Sequence, residues 1–373
     1  MDYRKRLFAC QRIYDLERSG TLFAEAMKHS VDFHRANCPV YDRILADKGF
    51  ESSDLGSVAD LHLLPPIPTL FYKSHELHSV PESKMVIMST TSGTKGAATR
   101  VGLDAKTCYY GALMLKRTLS YHKLFSLIPA NYLIMGYQPS RHNKMGAVKT
   151  AFGGTFLAPP LHREYALKDN GTGYDLNTEG IKRCLLKWNG SGVLVRILGF
   201  PAYLYFMMKQ LKENNIKLSL NPRSMIILGG GWKQFLTDKV EKEELYRMAE
   251  ETLGIKEYNI REIFGVVESN VLYCDCKNHH FHVPVYGRVI IRDPVTFEPV
   301  PNGTPGLLNL LSPLVGSMPI GSIVTDDIAI LHDGKECGCG IESPYFEVLG
   351  RTGMADIKTC AANADEVLQG VKR

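Results

Sequence analysis

At 373 residues, 45% hydrophobic and 22% charged, the chain has the composition of a folded protein long enough for two or more packed units, and general disorder is excluded. Its formal net charge of +5 is dispersed, with no block of about five like charges, so no nucleic-acid partner is expected. No stretch approaches the roughly eighteen apolar residues of a membrane span, and nine cysteines, an odd number, fit a reducing, cytoplasmic setting in which thiols are free, metal-bound or catalytic.

The basic start, Met1 to Phe8, leads into polar helical sequence and lacks the apolar core of a secretory signal. Leu22, Phe23, Ala26, Met27 and Val31 recur at helical spacing until Asn37-Cys38-Pro39 breaks the pattern. Leu63-Leu64-Pro65-Pro66-Ile67-Pro68 cannot be helix or central strand, because proline removes backbone donors, and reads as a rigid connector. It leads to Met85-Val86-Ile87-Met88, a strand opening into Ser89-Thr90-Thr91-Ser92-Gly93-Thr94-Lys95-Gly96. Hydroxyls, glycines and a lysine there suit a phosphate-handling turn, since glycine lets backbone N–H groups approach an anion. The spacing is not that of a Walker A loop, so another nucleotide fold is required.

Beyond the turn, short apolar runs alternate with helical segments: Tyr132 to Met135, Gly192 to Leu198, Ala202 to Asn214, then Met225 to Leu228 before Gly229-Gly230-Gly231. That alternation predicts an α/β body with ligand loops at the carboxyl ends of its strands. From Gly265 onward short strands separated by Pro and Gly predict a β-rich subdomain. The expected layout is therefore an α/β body over 1–264, a β-rich subdomain over 265–350 and a short arm over 351–373.

Within the β-rich part, Cys274-Asp275-Cys276, His279, His280, His282 and Cys337-Gly338-Cys339-Gly340 supply ligands of the kind zinc takes four at a time. Cys276, His282, Cys337 and Cys339 form the expected set, with Cys274 and His280 as rivals and free buried thiols as the alternative. Four protein ligands leave no open position, so such an ion would be structural. Cys10, Cys38, Cys108 and Cys184 read as packing residues, and His142 as a surface residue on a polar loop.

Taken in order, the Thr-Ser-Gly-Thr-Lys-Gly turn, Gly229 to Gly231, Phe264-Gly265-Val266-Val267-Glu268, Thr325-Asp326-Asp327-Ile328-Ala329 and Gly350-Arg351-Thr352 resemble the acyl- and aryl-adenylating superfamily. More narrowly, Pro65-Pro66-Ile67-Pro68 with Phe71-Tyr72-Lys73-Ser74, and a cysteine soon after the Gly-Arg element, resemble the LuxE-type acyl-protein synthetases, the ATP-dependent synthetase subunits of bacterial fatty-acid reductase complexes. The resemblance covers residues 30–362. It implies the N-terminal adenylating domain, mixed sheets flanked by helices, with the C-terminal lid absent or vestigial. It further implies that Thr91, Ser92, Gly93, Thr94, Lys95 and Gly96 hold ATP phosphates, and that Gly230, Gly231, Phe264 and Gly265 enclose the adenine. Glu268 would ligate Mg²⁺, and Asp327 and Arg351 would hold the ribose. Two positions depart from the pattern: Val267 stands where the family has threonine, and Lys95 where many relatives have threonine.

A thiolate near the carbonyl of an acyl-adenylate can displace AMP and keep the acyl group as a thioester. By the resemblance Cys360 is that acceptor, and Lys358 two residues before it favours the thiolate; the alternative is a free cysteine on a terminal segment. The expected activity is Mg·ATP-dependent activation of a fatty acid and acylation of Cys360, for delivery to an NAD(P)H-dependent acyl reductase, with an apolar tunnel using Phe200, Tyr203 and Tyr205. The alternatives are an aryl- or acyl-CoA ligase releasing a soluble thioester, and a degenerate nucleotide-binding scaffold.

Overall fold

The computed structural model describes residues 2–90, 99–141, 143 and 145–351, with backbone alone at 233, 234 and 236. These residues divide into two compact units, one combining 2–118 with 265–351 and the other spanning Leu119–Phe264. A linear cut at 264 alone would separate segments that hydrogen-bond one another, as the first unit shows.

The first unit opens with helices α1 (Tyr3–Phe8), α2 (Leu16–Asn37) and α3 (Pro39–Asp47). The Asp15 carboxylate accepts the Arg18 N–H at 3.1 Å and caps α2, and Pro39 sits in the first turn of α3, where its missing donor costs nothing. Along α2, Phe23, Met27, Val31 and His34 are buried at the helical spacing legible in the sequence. Burial pushes the His34 pKa down to about 4, so the ring is neutral. It donates from Nε2 to the Val315 carbonyl at 3.2 Å and accepts at Nδ1 from the Ser79 hydroxyl at 2.7 Å.

The proline connector goes further than expected: Ile67–Pro68 (β1) makes a two-residue parallel pairing with Ile323 and Val324. Helix α4 (Phe71–Ser74) follows, then the antiparallel pair β2 (Met85–Thr90) and β3 (Arg100–Asp104), and α5 (Ala105–Tyr121) begins in this unit. The Ser79 N–H donates to the Ser317 carbonyl at 2.8 Å and the Tyr72 hydroxyl to Pro319 at 2.7 Å. Residues 67–79 are thereby fastened to segments far along the chain.

The second unit is α/β as the alternation predicts. Its elements are β4 (Ala130–Tyr137), α6 (Gly146–Gly154), β5 (Pro160–Asp169), β6 (Tyr174–Leu176), α7 (Thr178–Trp188), β7 (Leu194–Gly199), α8 (Pro201–Glu213), β8 (Met225–Gly229), α9 (Lys242–Leu253) and β9 (Ile260–Phe264). Within the unit the strand order is β9-β8-β7-β4-β5-β6, parallel except for β6. A parallel strand covered on both faces needs a continuous apolar run, and β4 is buried at every position except its last. Leu133, Val195, Ile197 and Ile226 pack against Leu185, Leu204 and Met208, each burial contributing roughly 1.5–3 kcal/mol. Gly199 ends β7 at φ +128°, where a Cβ would strike the Met135 backbone, so no other residue fits without displacing that strand.

The chain then returns to the first unit with β10 (Tyr273–Cys274), β11 (Phe281–His282), β12 (Arg288–Arg292), β13 (Gly306–Leu311), β14 (Ser322–His332) and β15 (Tyr345–Arg351). The sheet order β11-β15-β14-β13-β12 is antiparallel throughout. Asn309, buried at its centre, is paired: it accepts from Arg292 Nε at 2.8 Å and donates to Ser322 Oγ and the Ile323 carbonyl. Register alone sets Asp327 opposite Arg351, beside an irregularity at Ile328/Ala329. Strand bulges re-aim side chains in this way next to functional sites.

Candidate active site and metal clip

The first unit gathers a charged cluster around the middle of β14. The Asp327 side chain is 5% exposed and its Oδ1 accepts from Arg351 Nε at 2.9 Å, while Asp326 lies 4.0 Å from the same nitrogen. Asp327 N–H donates to Thr325 Oγ1 at 3.1 Å, which fixes the backbone before the irregularity. The second carboxylate oxygen, Oδ2, is buried with no partner among the described residues. Burial raises the Asp327 pKa and the Arg351 guanidinium opposes it, so the carboxylate is held in place at an electrostatic cost. A buried acceptor left unpaired costs about 1–3 kcal/mol unless a ligand donates to it.

Glu268 belongs to the same cluster. It lies in a turn closed by Ser269 and Asn270 N–H groups donating to the Val266 carbonyl at 3.1 and 3.0 Å, with Asn270 at φ +58°. Asn270 Nδ2 also donates to the Val267 carbonyl at 2.6 Å. The turn buries Glu268, and burial raises its pKa against the pull of the Lys73 charge. Lys73, on the short helix α4, is a positive charge to which sequence reasoning gave no role; only its long-range setting reveals one. Ser269, next to Glu268, buries a hydroxyl without a partner among the described residues.

In the second unit Gly230 and Gly231 follow β8 at φ +78° and +65°, leaving open backbone after the strand. A Cβ on Gly231 would meet nothing within 4 Å, so that glycine serves backbone conformation and not close packing. Phe264 ends β9, and Gly265 is the first residue of the other unit. Phe200 is buried, and the half-buried Tyr203 and Tyr205 pack on Phe235 and Trp232 at ring distances of 5.8 and 5.6 Å. That is an aromatic face of α8 and of the segment after β8. Thr91, Ser92, Gly93, Thr94, Lys95, Gly96, His142, Lys358 and Cys360 lie outside the described residues.

The four expected metal ligands come together from three places. β11 carries His282, a turn before it carries Cys276, and the 337–340 turn carries the other two, with Gly338 and Gly340 at φ +67° and +95°. The ligand atoms of Cys276, His282, Cys337 and Cys339 all lie within 4.8 Å of one another, with Cys276 and Cys337 sulfurs 3.5 Å apart and Cys339 Sγ 3.2 Å from His282 Nε2. His282 donates Nδ1–H to the Ser343 carbonyl at 2.7 Å, which leaves Nε2 as a lone pair aimed at the thiols. Backbone N–H groups of Asn278 and Ile341 donate to the Cys276 and Cys339 sulfurs at 3.3 and 3.4 Å. Burial, with Cys276 and Cys339 alongside, pushes the Cys337 thiol up to about 12. Without a cation, thiolates are therefore disfavoured; a zinc ion fits the donor set and would reverse that preference. Of the rivals, Cys274 is buried outside this set, whereas His280 places Nδ1 3.1 Å from Cys337 Sγ and supports the set from beside it.

The described residues carry the fold of an acyl-CoA ligase adenylation domain. The structure of 2-hydroxyisobutyryl-CoA ligase in complex with 2-HIB-AMP matches it with a TM-score of 0.65 at 15% identity, over 91% of this chain and 69% of that one. Within that class the family described as "Acyl-protein synthetase, LuxE" matches residues 14–369, and the chain belongs to it. It is 26% identical to a long-chain-fatty-acid–luciferin-component ligase of Aliivibrio fischeri over 82% of this chain and 79% of that one. A protein of the same name from Vibrio harveyi is 23% identical over 95% and 90% of the two chains. The protein is thus an enzyme, an AMP-forming ligase acting on a carboxylic acid.

Proposed function

We propose that this ligase activates a long-chain fatty acid with ATP and transfers the acyl group to its own Cys360, which delivers it to an NAD(P)H-dependent acyl reductase. The observation that carries the reading is Asp327, pinned through one oxygen by Arg351 while the other is buried with no partner among the described residues and so open to a ligand donor. Vicinal ribose hydroxyls are such donors. By family resemblance Gly230, Gly231, Phe264 and Gly265 serve the adenine, and Thr91, Ser92, Gly93, Thr94, Lys95 and Gly96 the phosphates. Glu268, a buried carboxylate, is a hard ligand suited to Mg²⁺, which would neutralise phosphate charge when bound.

The reaction asks little covalent work of the side chains. A carboxylate oxygen of the acid bonds to the α-phosphorus as the bond to pyrophosphate breaks; Lys95 and the rest of the phosphate turn meet the negative charge, and a cation held by Glu268 would supply further neutralisation when bound. The Cys360 thiolate then attacks the acyl carbonyl, AMP leaves, and a thioester remains. Lys358 lowers the cost of forming that thiolate. The names of the relatives from Aliivibrio fischeri and Vibrio harveyi support a long-chain fatty acid as substrate. The zinc proposed at Cys276, His282, Cys337 and Cys339 has no open position and ties the β-rich segment together.

Incubation with ATP and radiolabelled fatty acid, followed by a denaturing gel, tests the transfer. The wild type should carry a hydroxylamine-sensitive label that Cys360→Ser lacks. An unlabelled wild type that instead makes acyl-CoA when CoA is supplied would favour a CoA ligase and refute self-acylation.

A further inference from the structure

Cys184, which the sequence places among the packing residues, lies in different company. His162 and Glu164 are two residues apart on β5 and so project from the same face, and α7 lies against that face with Cys184 at its middle. The Cys184 sulfur is 3.6 Å from Glu164 Oε2 and 3.8 Å from His162 Nε2, and those two atoms are 3.9 Å from each other. Three ligands of a tetrahedral zinc, at bond lengths of about 2.0–2.3 Å, stand roughly 3.3–3.8 Å apart. The two edges that meet at sulfur match the base of such a site to within a few tenths of an ångström, and the nitrogen–oxygen edge at 3.9 Å is roughly half an ångström longer than a bound ion would set it.

The surroundings orient the triangle. Glu164 Oε1 is held by Lys168 Nζ at 2.9 Å and Asn177 Nδ2 at 2.8 Å, so the carboxylate is clamped through one oxygen and turns the other to the thiol and the imidazole. Asn177 also donates to the Tyr165 carbonyl at 3.0 Å, which ties the start of α7 to the strand that bears both ligands. The Trp188 ring stands edge-on to His162 with centroids 5.8 Å apart and limits how that ring can turn. Partners of this kind, behind the ligating atoms, distinguish a metal site from a chance meeting of polar groups.

We propose that His162, Glu164 and Cys184 form a second, exchangeable zinc site, linking β5 to α7. The ligand set is one borderline nitrogen, one carboxylate oxygen and one thiolate, which together neutralise the ion. Binding releases the Cys184 proton to solvent and leaves a fourth coordination position for water. The His162 side chain is 52% exposed, so the ion enters and leaves from the surface, unlike the ion proposed for the closed four-ligand clip.

Metal-stripped protein titrated with Co²⁺ alone, followed through thiolate-to-cobalt charge-transfer absorbance, tests the site. The wild type should bind one equivalent more than Cys184→Ser and one more than His162→Ala, whose exposed side chain makes misfolding no explanation. Competition with a moderate chelator should remove that equivalent first. Equal stoichiometry in the wild type and His162→Ala would overturn the proposal, whatever the occupancy of the clip.

Discussion

At the scale of single residues, the candidate active-site cluster is built from groups that the folded chain holds at a cost. Asp327 Oδ2 is buried and has no partner among the described residues, and Glu268 is buried with its pKa raised. Such costs are tolerated where a ligand repays them. Hydrogen bonds to a charged group contribute about 1.5–3 kcal/mol, so Asp327→Ala should lower kcat/KM for ATP roughly 10- to 100-fold, measured in the exchange reaction. Glu268→Gln should separate stability from activity. Because burial raises the folded pKa, the stability contributed by Glu268 is fully present below its ordinary 4.5 and is lost as pH rises through the folded value. The glutamine variant, free of that loss, should melt higher than the wild type at neutral pH. The difference should vanish as pH falls to 4.5, while exchange activity at neutral pH drops roughly 100-fold. Equal melting temperatures at neutral pH would show that the buried carboxyl carries no such penalty. Asp327, Arg351 and Glu268 could be singled out as candidates in the sequence because the motifs occur in order, and the fold sets their charges in one cluster. Lys73 could not be, because a lysine on a four-residue helix is ordinary until the folded chain sets its charge near a buried acid.

Among the elements, the clip was legible for a chemical reason: paired thiols two residues apart, with glycines that permit positive φ, leave few alternatives. His282 was preferred to His280 from the sequence, and the strand agrees: β11 buries the His282 ring with its Nε2 toward the thiols, while the His280 ring stacks on Tyr345 at 4.3 Å. If zinc holds the turn at 337–340 to β11, removing it should cost several kcal/mol. Chelation, or Cys337→Ser, should then lower the thermal midpoint by several degrees while one equivalent of zinc appears in solution, read by a colorimetric zinc dye. A melting curve indifferent to chelator, with no zinc released, would mean the thiols are merely packed. The His162, Glu164 and Cys184 triangle was invisible for the opposite reason. Its residues are of common types, 22 positions separate the His from the Cys, and only the packing of α7 on β5 joins them.

Across the whole molecule, the α/β alternation and the β-rich character after Gly265 were readable as hydrophobic periodicity and turn residues. How the segments combine was not. The pairing of Ile67 with Ile323 and of Ser79 with Ser317 spans more than two hundred residues, and no local pattern encodes it. Residues 2–118 therefore belong with the β-rich segment in one unit, and 119–264 stand as the other. The family match over residues 14–369 gives the reaction class, and the order of events within it is the central claim: the acid is joined to AMP before any sulfur takes part. Fatty-acid-dependent exchange of labelled pyrophosphate into ATP tests that order most directly. It should proceed in the wild type, persist at a comparable rate in Cys360→Ser and fall sharply in Asp327→Ala. Exchange that disappears with Cys360, or that never depends on fatty acid, would contradict the account.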